Sequence, residues 1–216
     1  MDQRHRKLAE IALSVAGDQG FALAGGYAIR AHGMGDRPSG DVDLFTDWHR
    51  RADFPDAVQA VTAALEQHGY TVTAAISGET FARLLVSSPA EPEIEADKLE
   101  LSADWRAHPP VLLDIGPVLH PDDAVANKMC ALYGRALPRD FLDVDAAISS
   151  GRYSRDRLIE LAKNADHGFD EHAFADALGA LTQITDDAFA DYGTPPDLIT
   201  ALRRSFADWR RALQSQ

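Results

Sequence analysis

Apolar residues near the start of the chain recur at the spacing of a helix. Leu8, Ile11, Ala12 and Val15 stand at positions i, i+3, i+4 and i+7, which places them on one face of an amphipathic helix. A glycine-bounded stretch at 17–20 then interrupts the pattern. The chain is therefore expected to begin with a helix that buries one face.

The following residues alternate between short apolar runs and glycine-rich breaks. They predict a strand at 21–24, a short helix at 27–32 and a strand at 41–45 with one polar face. A second long helix is predicted at 57–68, and the other strand-like runs of the first half lie at 70–76, 81–86, 98–101 and 111–115.

From residue 121 onward the apolar spacing becomes helical. Helices are predicted at 122–133, 139–148, 154–163, 171–181 and 196–213. The pattern indicates an α+β protein in which a mixed-sheet core, residues 1–119, is followed by a helical C-terminal domain, residues 120–216.

Composition narrows the class of protein. The 216 residues carry a formal charge of -13 and a pI near 4.9, which argues against a surface that coats nucleic acid. One cysteine excludes an intramolecular disulfide, and zinc-type Cys or His spacings are absent from the sequence. Because no apolar run approaches the roughly 20 residues of a membrane helix, we expect a soluble, cytoplasmic protein without a membrane partner.

Asp41 and Asp43 are the first candidates for chemistry. Residues two apart in a strand point to the same side, so both carboxylates would lie together while Val42 and Leu44 face the core. Two such carboxylates suit Mg²⁺, which prefers oxygen ligands. Alone, this pattern is also typical of two solvated aspartates on an edge strand.

The pair Gly25-Gly26 changes the interpretation of the two aspartates. It opens a predicted helix about fifteen residues upstream of them. Free backbone amides at a helix start favour phosphate, and glycine allows its close approach. The structural alternative for these glycines is a tight turn.

Four segments in this order resemble the AbiEii/AbiGii-type nucleotidyltransferase toxins of the DNA polymerase beta-like superfamily. They are 23–32 (LAGGYAIRAH), 37–45 (RPSGDVDLF), 128–135 (KMCALYGR) and 139–143 (RDFLD). The resemblance covers about residues 8–148. It implies a polymerase-beta-like sheet core, an NTP co-substrate, Mg²⁺ or Mn²⁺, and an antitoxin partner.

The resemblance also assigns roles by position. Asp41 and Asp43 become metal ligands, and Gly25-Gly26 becomes the turn that the NTP phosphates approach. Many superfamily members carry Gly-Ser at this turn. Because Gly26 has no hydroxyl, the corresponding contact is expected from a backbone amide or from Ser39.

A third acidic ligand is expected on a later strand. Glu100 stands between two apolar neighbours that would point the other way, and we predict that it is a metal ligand or the general base for the acceptor hydroxyl. Asp104 and Asp114 are its rivals. Each of the three is also compatible with a solvated or structurally paired carboxylate.

Charged residues of the second half supply the remaining candidates. Lys128 and Arg135 are seven apart and share a helix face, and by the resemblance Lys128 would neutralise charge on the leaving pyrophosphate. Asp140 and Asp143 share a face of the next helix, where one of them could fix Lys128 or simply form local ion pairs. Arg37, Arg135 and Arg139 are predicted to contact the substrate.

The leading hypothesis is a metal-dependent nucleotidyltransferase that acts on the 3′ end of tRNA as a toxin. The same chemistry on an aminoglycoside-like small molecule is the first alternative. A catalytically silent nucleotidyltransferase fold that acts only as a binding partner is the second.

Overall fold

The computed structural model describes residues 1–91 and 93–215, which form two compact units. The first unit comprises Met1–Ala31 and Ser39–His120, and the second comprises His32–Pro38 and Pro121–Gln216. The predicted domains, 1–119 and 120–216, stay a prediction, because compactness alone does not establish independent folding.

The described residues of the first unit form three α-helices, two short 3-10 helices and one sheet. Its helices are α1 (Gln3–Ala16), α2 (Gly25–Ala31) and α3 (Phe54–Gln67). Its strands are β1 (Ala22–Leu23), β2 (Asp41–Asp47), β3 (Thr71–Ser77), β4 (Phe81–Ser87), β5 (Asp97–Asp104), β6 (Val111–Leu113) and β7 (Gly116–Val118).

The seven strands form one mixed sheet in the order β3-β4-β5-β2-β1-β7-β6. β2 pairs with β5, and β1 with β7, in parallel, whereas the other neighbours are antiparallel. The prediction of a mixed sheet is confirmed. β2 lies near the middle, so both edges of this strand are paired and its register is fixed by two neighbours.

Alternation along β2 explains which side chains it exposes. Val42 and Leu44 are fully buried in the core, whereas Asp41 and Asp43 are half-buried on the opposite face. A shift of one residue would bury the two carboxylates and expose the aliphatic side chains. Burial of the aliphatic face therefore determines where the carboxylates point.

The first helix buries three of the four residues predicted for its contact face. Leu8, Ile11 and Ala12 are buried, but Val15 is 36% exposed and Ala16 is buried in its place. The contact face is centred on positions one step away from the predicted seam, because α1 packs against α3 as well as against the sheet.

The predicted strand at 111–115 was wrong in its extent. β6 ends at Leu113, the chain turns through Asp114 and Ile115, and β7 begins at Gly116. Gly116 has a φ of 115°, a conformation that glycine adopts without steric cost. The apolar run thus contains a hairpin rather than one strand.

The second unit is helical, as predicted. Its main helices are α4 (Pro121–Arg135), α5 (Pro138–Ser149), α6 (Arg155–Ala165), α7 (Glu171–Gly179) and α8 (Pro196–Gln214). Within 1–91 and 93–215, no helix combines the length and apolar character needed to cross a membrane.

Aromatic side chains fill the core of this unit. The ring of Phe206 on α8 lies 5.2 Å from that of Phe141 and 5.9 Å from that of Trp209, measured between centroids. Trp209 in turn lies 5.3 Å from Phe174 in an edge-to-face arrangement. Phe206 is 1% exposed, so it joins α8 to the rest of the helical core.

We predict that Phe206→Ala destabilises the protein by about 3–5 kcal/mol, because it leaves a cavity among aromatic rings. Leu198→Ala on the same helix is the control, since Leu198 is 44% exposed and its truncation should cost less than about 0.5 kcal/mol. Urea unfolding followed by circular dichroism measures both. Equal losses would contradict the packing described for α8.

Candidate active site

Three carboxylates converge on one face of the sheet. One oxygen from each of Asp41, Asp43 and Glu100 lies within 4.8 Å of the others. The convergence follows from strand register, because β2 and β5 run parallel with Asp43 directly opposite Glu100 and Asp41 opposite Lys98. The sheet thus brings together the predicted pair and its predicted third member.

Gly25 gives Asp43 the space it occupies. Gly25 has a φ of 60°, and a Cβ on this residue would overlap Oδ2 of Asp43 and lie 2.6 Å from its Cγ. The amide of Ala24 also donates to the carbonyl oxygen of Asp43 at 2.8 Å. Residue 25 must therefore be glycine partly because a larger residue would collide with the Asp43 carboxylate. The sequence did not indicate this steric role. Gly26, also half-buried, is the second residue of α2.

Ser39 is bonded to the first aspartate. Its hydroxyl donates to Oδ1 of Asp41 at 3.0 Å, within the loop that leads into β2. This contact restricts the rotation of Asp41. The predicted contact of Ser39 with substrate stays a prediction.

Arg83 is a site neighbour that the sequence analysis missed. It stands opposite Glu100 on β4, and its Nε and one terminal nitrogen lie 2.7 Å and 2.6 Å from Oε1 of Glu100. The guanidinium also lies over the ring of Phe81, 5.9 Å from its centroid. Alternation along β4 places Arg83 on the half-buried face of the strand, but only the strand order shows that this face borders Glu100.

The two rivals of Glu100 lie elsewhere. Asp104 is the last residue of β5, opposite Asp47, and burial raises its pKa although the amide of Trp105 donates to it. Asp114 is exposed in the β6–β7 turn. Among the described residues, neither belongs to the group formed by Asp41, Asp43 and Glu100.

The donor set of this group fits a hard divalent cation. It offers carboxylate oxygens and no thiolate or imidazole, the ligand chemistry that favours Mg²⁺ or Mn²⁺ over zinc. Like charges this close also repel one another, and a bound cation removes that cost. Both observations support the predicted ligands.

A second cluster lies within the helical unit. Nζ of Lys128 is 2.9 Å from one oxygen of Asp143, and the guanidinium of Arg37 donates to both oxygens at 2.6 Å and 2.7 Å. The side chains are nearly buried, with Lys128 9% and Asp143 2% exposed. Burial acts to raise the pKa of Asp143, but Lys128 and Arg37 outweigh it and hold that pKa below its usual value.

Asp140 makes a separate set of contacts. Arg135 donates to both of its oxygens at 2.8 Å and 2.9 Å, and the backbone amide of Leu137 donates to it at 3.1 Å. These are the contacts of a residue that closes the first turn of α5 and joins it to α4. Arg139 is half-buried on the same turn. The substrate and catalytic roles predicted for these residues stay predictions.

Comparison with known proteins identifies the family. The sequence profile described as "Nucleotidyl transferase AbiEii toxin, Type IV TA system" matches residues 6–215. The chain belongs to the AbiEii nucleotidyltransferase toxin family. The predictions of a nucleotidyltransferase enzyme and of this family are confirmed, and membership implies an NTP substrate and an antitoxin partner.

Solved structures share the fold of this AbiEii-family chain. JHP933 from Helicobacter pylori is 18% identical with a TM-score of 0.55, over 98% of this chain and 96% of that one. A putative nucleotidyltransferase from H. pylori is 15% identical with a TM-score of 0.60, over 100% and 98%. The nucleotidyltransferase toxin MenT4 from Mycobacterium tuberculosis is 19% identical with a TM-score of 0.51, over 89% and 68%.

These likenesses confirm the predicted fold class, a nucleotidyltransferase core with a mixed sheet. At sequence identities below 20%, these likenesses show the shared fold and not a shared substrate. No curated protein sequence matches the chain.

We predict that Gly25→Ala disrupts the carboxylate cluster of this family member, whereas Gly33→Ala does not. Both glycines have positive φ, 60° and 72°, so both substitutions cost about 1–2 kcal/mol of backbone strain. Only at Gly25 would the methyl group displace Asp43, since nothing lies within 4 Å of a Cβ at Gly33. Mn²⁺ binding measured by electron paramagnetic resonance should weaken in Gly25→Ala alone. Comparable binding in the two variants would refute the steric argument.

We predict that Asp143→Asn lowers the free energy of unfolding by about 3–5 kcal/mol at pH 7, because Lys128 and Arg37 lose their buried counterion. The pKa of Asp143 is lowered in the folded state, so its contribution is complete above the unfolded value of about 3.9 and disappears as pH falls through the folded pKa. The difference between wild type and variant should therefore shrink below about pH 4.

Asp145→Asn on the same helix is the matched control for this prediction. Burial raises the pKa of Asp145 despite opposing effects of Ser149 and Arg155, so loss of its charge should cost less at pH 7 than loss of the charge of Asp143. Urea unfolding at several pH values measures both variants. A difference for Asp143→Asn that stays constant from pH 7 to pH 3 would be incompatible with the ion-pair account.

Proposed function

We propose that this chain is a Mg²⁺- or Mn²⁺-dependent toxin that transfers a nucleotide from an NTP to the 3′ end of tRNA in the cytoplasm. The observation that carries the proposal is the convergence of Asp41, Asp43 and Glu100 within 4.8 Å. Family membership supplies the class of reaction, and the carboxylate cluster supplies a place for it.

The proposed reaction balances as a simple substitution at phosphorus. The 3′-hydroxyl oxygen of the acceptor forms a bond to the α-phosphorus, and the bond between that phosphorus and the α–β bridging oxygen breaks. Pyrophosphate leaves with the bonding electrons, and the hydroxyl proton passes to a carboxylate or to water. An in-line arrangement of the two oxygens is required.

Asp41, Asp43 and Glu100 would hold the cation in this proposal. A divalent cation bound there supplies electrostatic stabilisation of the attacking and leaving oxygens. Both contacts from Arg83 go to Oε1 of Glu100, so Oε2 remains available to a ligand. This division of the carboxylate favours Glu100 as a ligand over Glu100 as the general base.

We assign binding of the NTP triphosphate to the Gly25-Gly26 turn, Ser39 and Lys128. Gly25 lies against Asp43 and Ser39 donates to Asp41, so Gly25-Gly26 and Ser39 would contact the phosphates. Lys128 would neutralise the leaving pyrophosphate. Its ion pair with Asp143 supports this role, because a carboxylate that also binds Arg37 fixes the position of the ammonium group.

Acceptor binding is assigned to local arginines. With a net charge of -13, the chain offers no general attraction for RNA, so phosphate contacts must come from particular side chains. Arg37, Arg135 and Arg139 are the candidates. Arg37 is only four residues before Asp41 in the sequence, and Asp140 holds Arg135 through two hydrogen bonds.

The experiment uses purified protein, total tRNA, Mg²⁺ and each labelled NTP in turn. We expect labelled tRNA with the wild type, and a loss of about 100- to 1000-fold in Asp41→Asn and in Asp43→Asn. Asp114→Asn is the control with unchanged activity, since Asp114 is exposed in a turn.

The same assay separates the alternatives. Labelled aminoglycoside in a parallel reaction, with unlabelled tRNA, would replace the RNA acceptor by a small molecule. No labelled product with any NTP or acceptor, together with an unchanged growth phenotype in Asp41→Asn, would indicate a catalytically silent fold.

A further inference from the structure

A buried histidine in α1 lies between two polar partners. His5 is 6% exposed, its Nδ1 is 2.6 Å from the hydroxyl of Tyr27, and its Nε2 is 3.1 Å from Oδ1 of Asp97. Tyr27 belongs to α2, and Asp97 is the first residue of β5. His5 thus joins α1, α2 and β5 of the sheet unit.

The contacts continue from Tyr27 toward the carboxylate cluster. The Tyr27 hydroxyl lies 3.3 Å from the carbonyl oxygen of Ser39, whose own hydroxyl donates to Asp41. A continuous path of hydrogen bonds therefore runs from Asp97 through His5, Tyr27 and Ser39 to Asp41. Each step is within the sheet unit.

The hydrogen bonds along this path can be arranged in two ways, which differ in where the Tyr27 hydroxyl donates. The carboxylate of Asp97 only accepts, so Nε2 of His5 must carry a hydrogen. Tyr27 has one hydroxyl proton and two acceptors in reach, Nδ1 of His5 and the carbonyl of Ser39. If His5 is neutral, its Nδ1 accepts from Tyr27; if His5 is protonated, its Nδ1 donates and the Tyr27 proton goes to Ser39.

We propose that His5 and Tyr27 are positioning residues for the loop that carries Asp41, and that protonation of His5 turns the Tyr27 hydroxyl toward Ser39. When the Tyr27 hydroxyl donates to Ser39, it holds the carbonyl oxygen of Ser39. The hydroxyl of Ser39 then orients Asp41 from a fixed backbone position. The effect on catalysis rests on the metal-binding role proposed above for Asp41.

Charged groups from α1, α2 and β5 surround His5 and Tyr27. Arg4 lies 3.2 Å from the same oxygen of Asp97 that faces His5, so the carboxylate is shared between two donors. Asp2 accepts from the backbone amide of His5 at the start of α1, and the hydroxyl of Tyr27 is affected by Asp2, by Arg30 on α2 and by Asp41. Histidine is the side chain that ordinarily changes charge between about pH 5 and 8.

Nuclear magnetic resonance tests the switch without any assay of activity. Labelling serine with carbonyl ¹³C and glycine with ¹⁵N selects three peptide bonds, after Ser39, Ser77 and Ser150, of which the last two serve as internal controls. We expect the Ser39 carbonyl shift to follow the protonation of the His5 ring with the same midpoint. In Tyr27→Phe this dependence should disappear.

Two results would overturn the proposal. One is a Ser39 carbonyl shift that stays constant while His5 titrates, or that titrates equally in Tyr27→Phe. The other is a His5 ring that does not titrate between about pH 5 and 9. A constant Ser39 shift and a His5 ring that does not titrate are both readable in the wild-type protein, so misfolding of the variant would not hide these two results.

Kinetics tests the catalytic consequence. In Tyr27→Phe, kcat should be about five-fold lower than in wild type below the His5 midpoint, the size of one neutral hydrogen bond, and nearly equal above it. KM for the NTP should change less than about two-fold. Tyr70→Phe, which removes another hydroxyl from the same unit, should leave kcat unchanged at every pH.

A ratio of wild-type to Tyr27→Phe kcat that is the same at every pH would reduce Tyr27 to an ordinary structural residue and contradict the proposal. Absence of nucleotide transfer in the wild type would instead refute the proposed function. The magnetic resonance result would stand in either case.

Discussion

The main constraint on the sheet unit is that it must hold three carboxylates close together although they repel one another. Asp41, Asp43 and Glu100 each bring an oxygen within 4.8 Å of the other two, although like charges at such distances oppose folding. Several features hold the arrangement. Parallel register places Asp43 beside Glu100, Gly25 leaves space for Asp43, Ser39 donates to Asp41 and Arg83 binds Glu100. The remaining charge is what a divalent cation would neutralise.

The helical unit instead stabilises a buried carboxylate with neighbouring cations. There, one buried carboxylate, Asp143, is surrounded by the cations Lys128 and Arg37, and the cost of burial is offset by ion pairs and hydrogen bonds. Such a cluster fixes the position of a lysine ammonium group in a way that a solvated lysine does not allow. The two clusters therefore differ in charge balance: one gathers three carboxylates, and the other surrounds one carboxylate with two cations.

Much of the fold and the residue types of the site follow from the sequence, because they depend on local periodicity. Alternation alone placed Asp41, Asp43 and Glu100 on the polar faces of their strands. It could not place Arg83, since its proximity to Glu100 depends on which strands are neighbours. The steric need for Gly25 depends on the rotamer of a distant aspartate. The hairpin at Gly116 was not predicted for a similar reason, because β7 pairs with β1, a strand distant in the sequence, as well as with β6.

Crystals grown with Mn²⁺ and an NTP whose α–β bridge resists cleavage test the central claim most directly. Anomalous scattering from manganese reports the position of the ion independently of any assay. The account predicts a peak bounded by the carboxylates of Asp41, Asp43 and Glu100, in contact with the triphosphate. A bound nucleotide whose manganese lies away from these three side chains would contradict it.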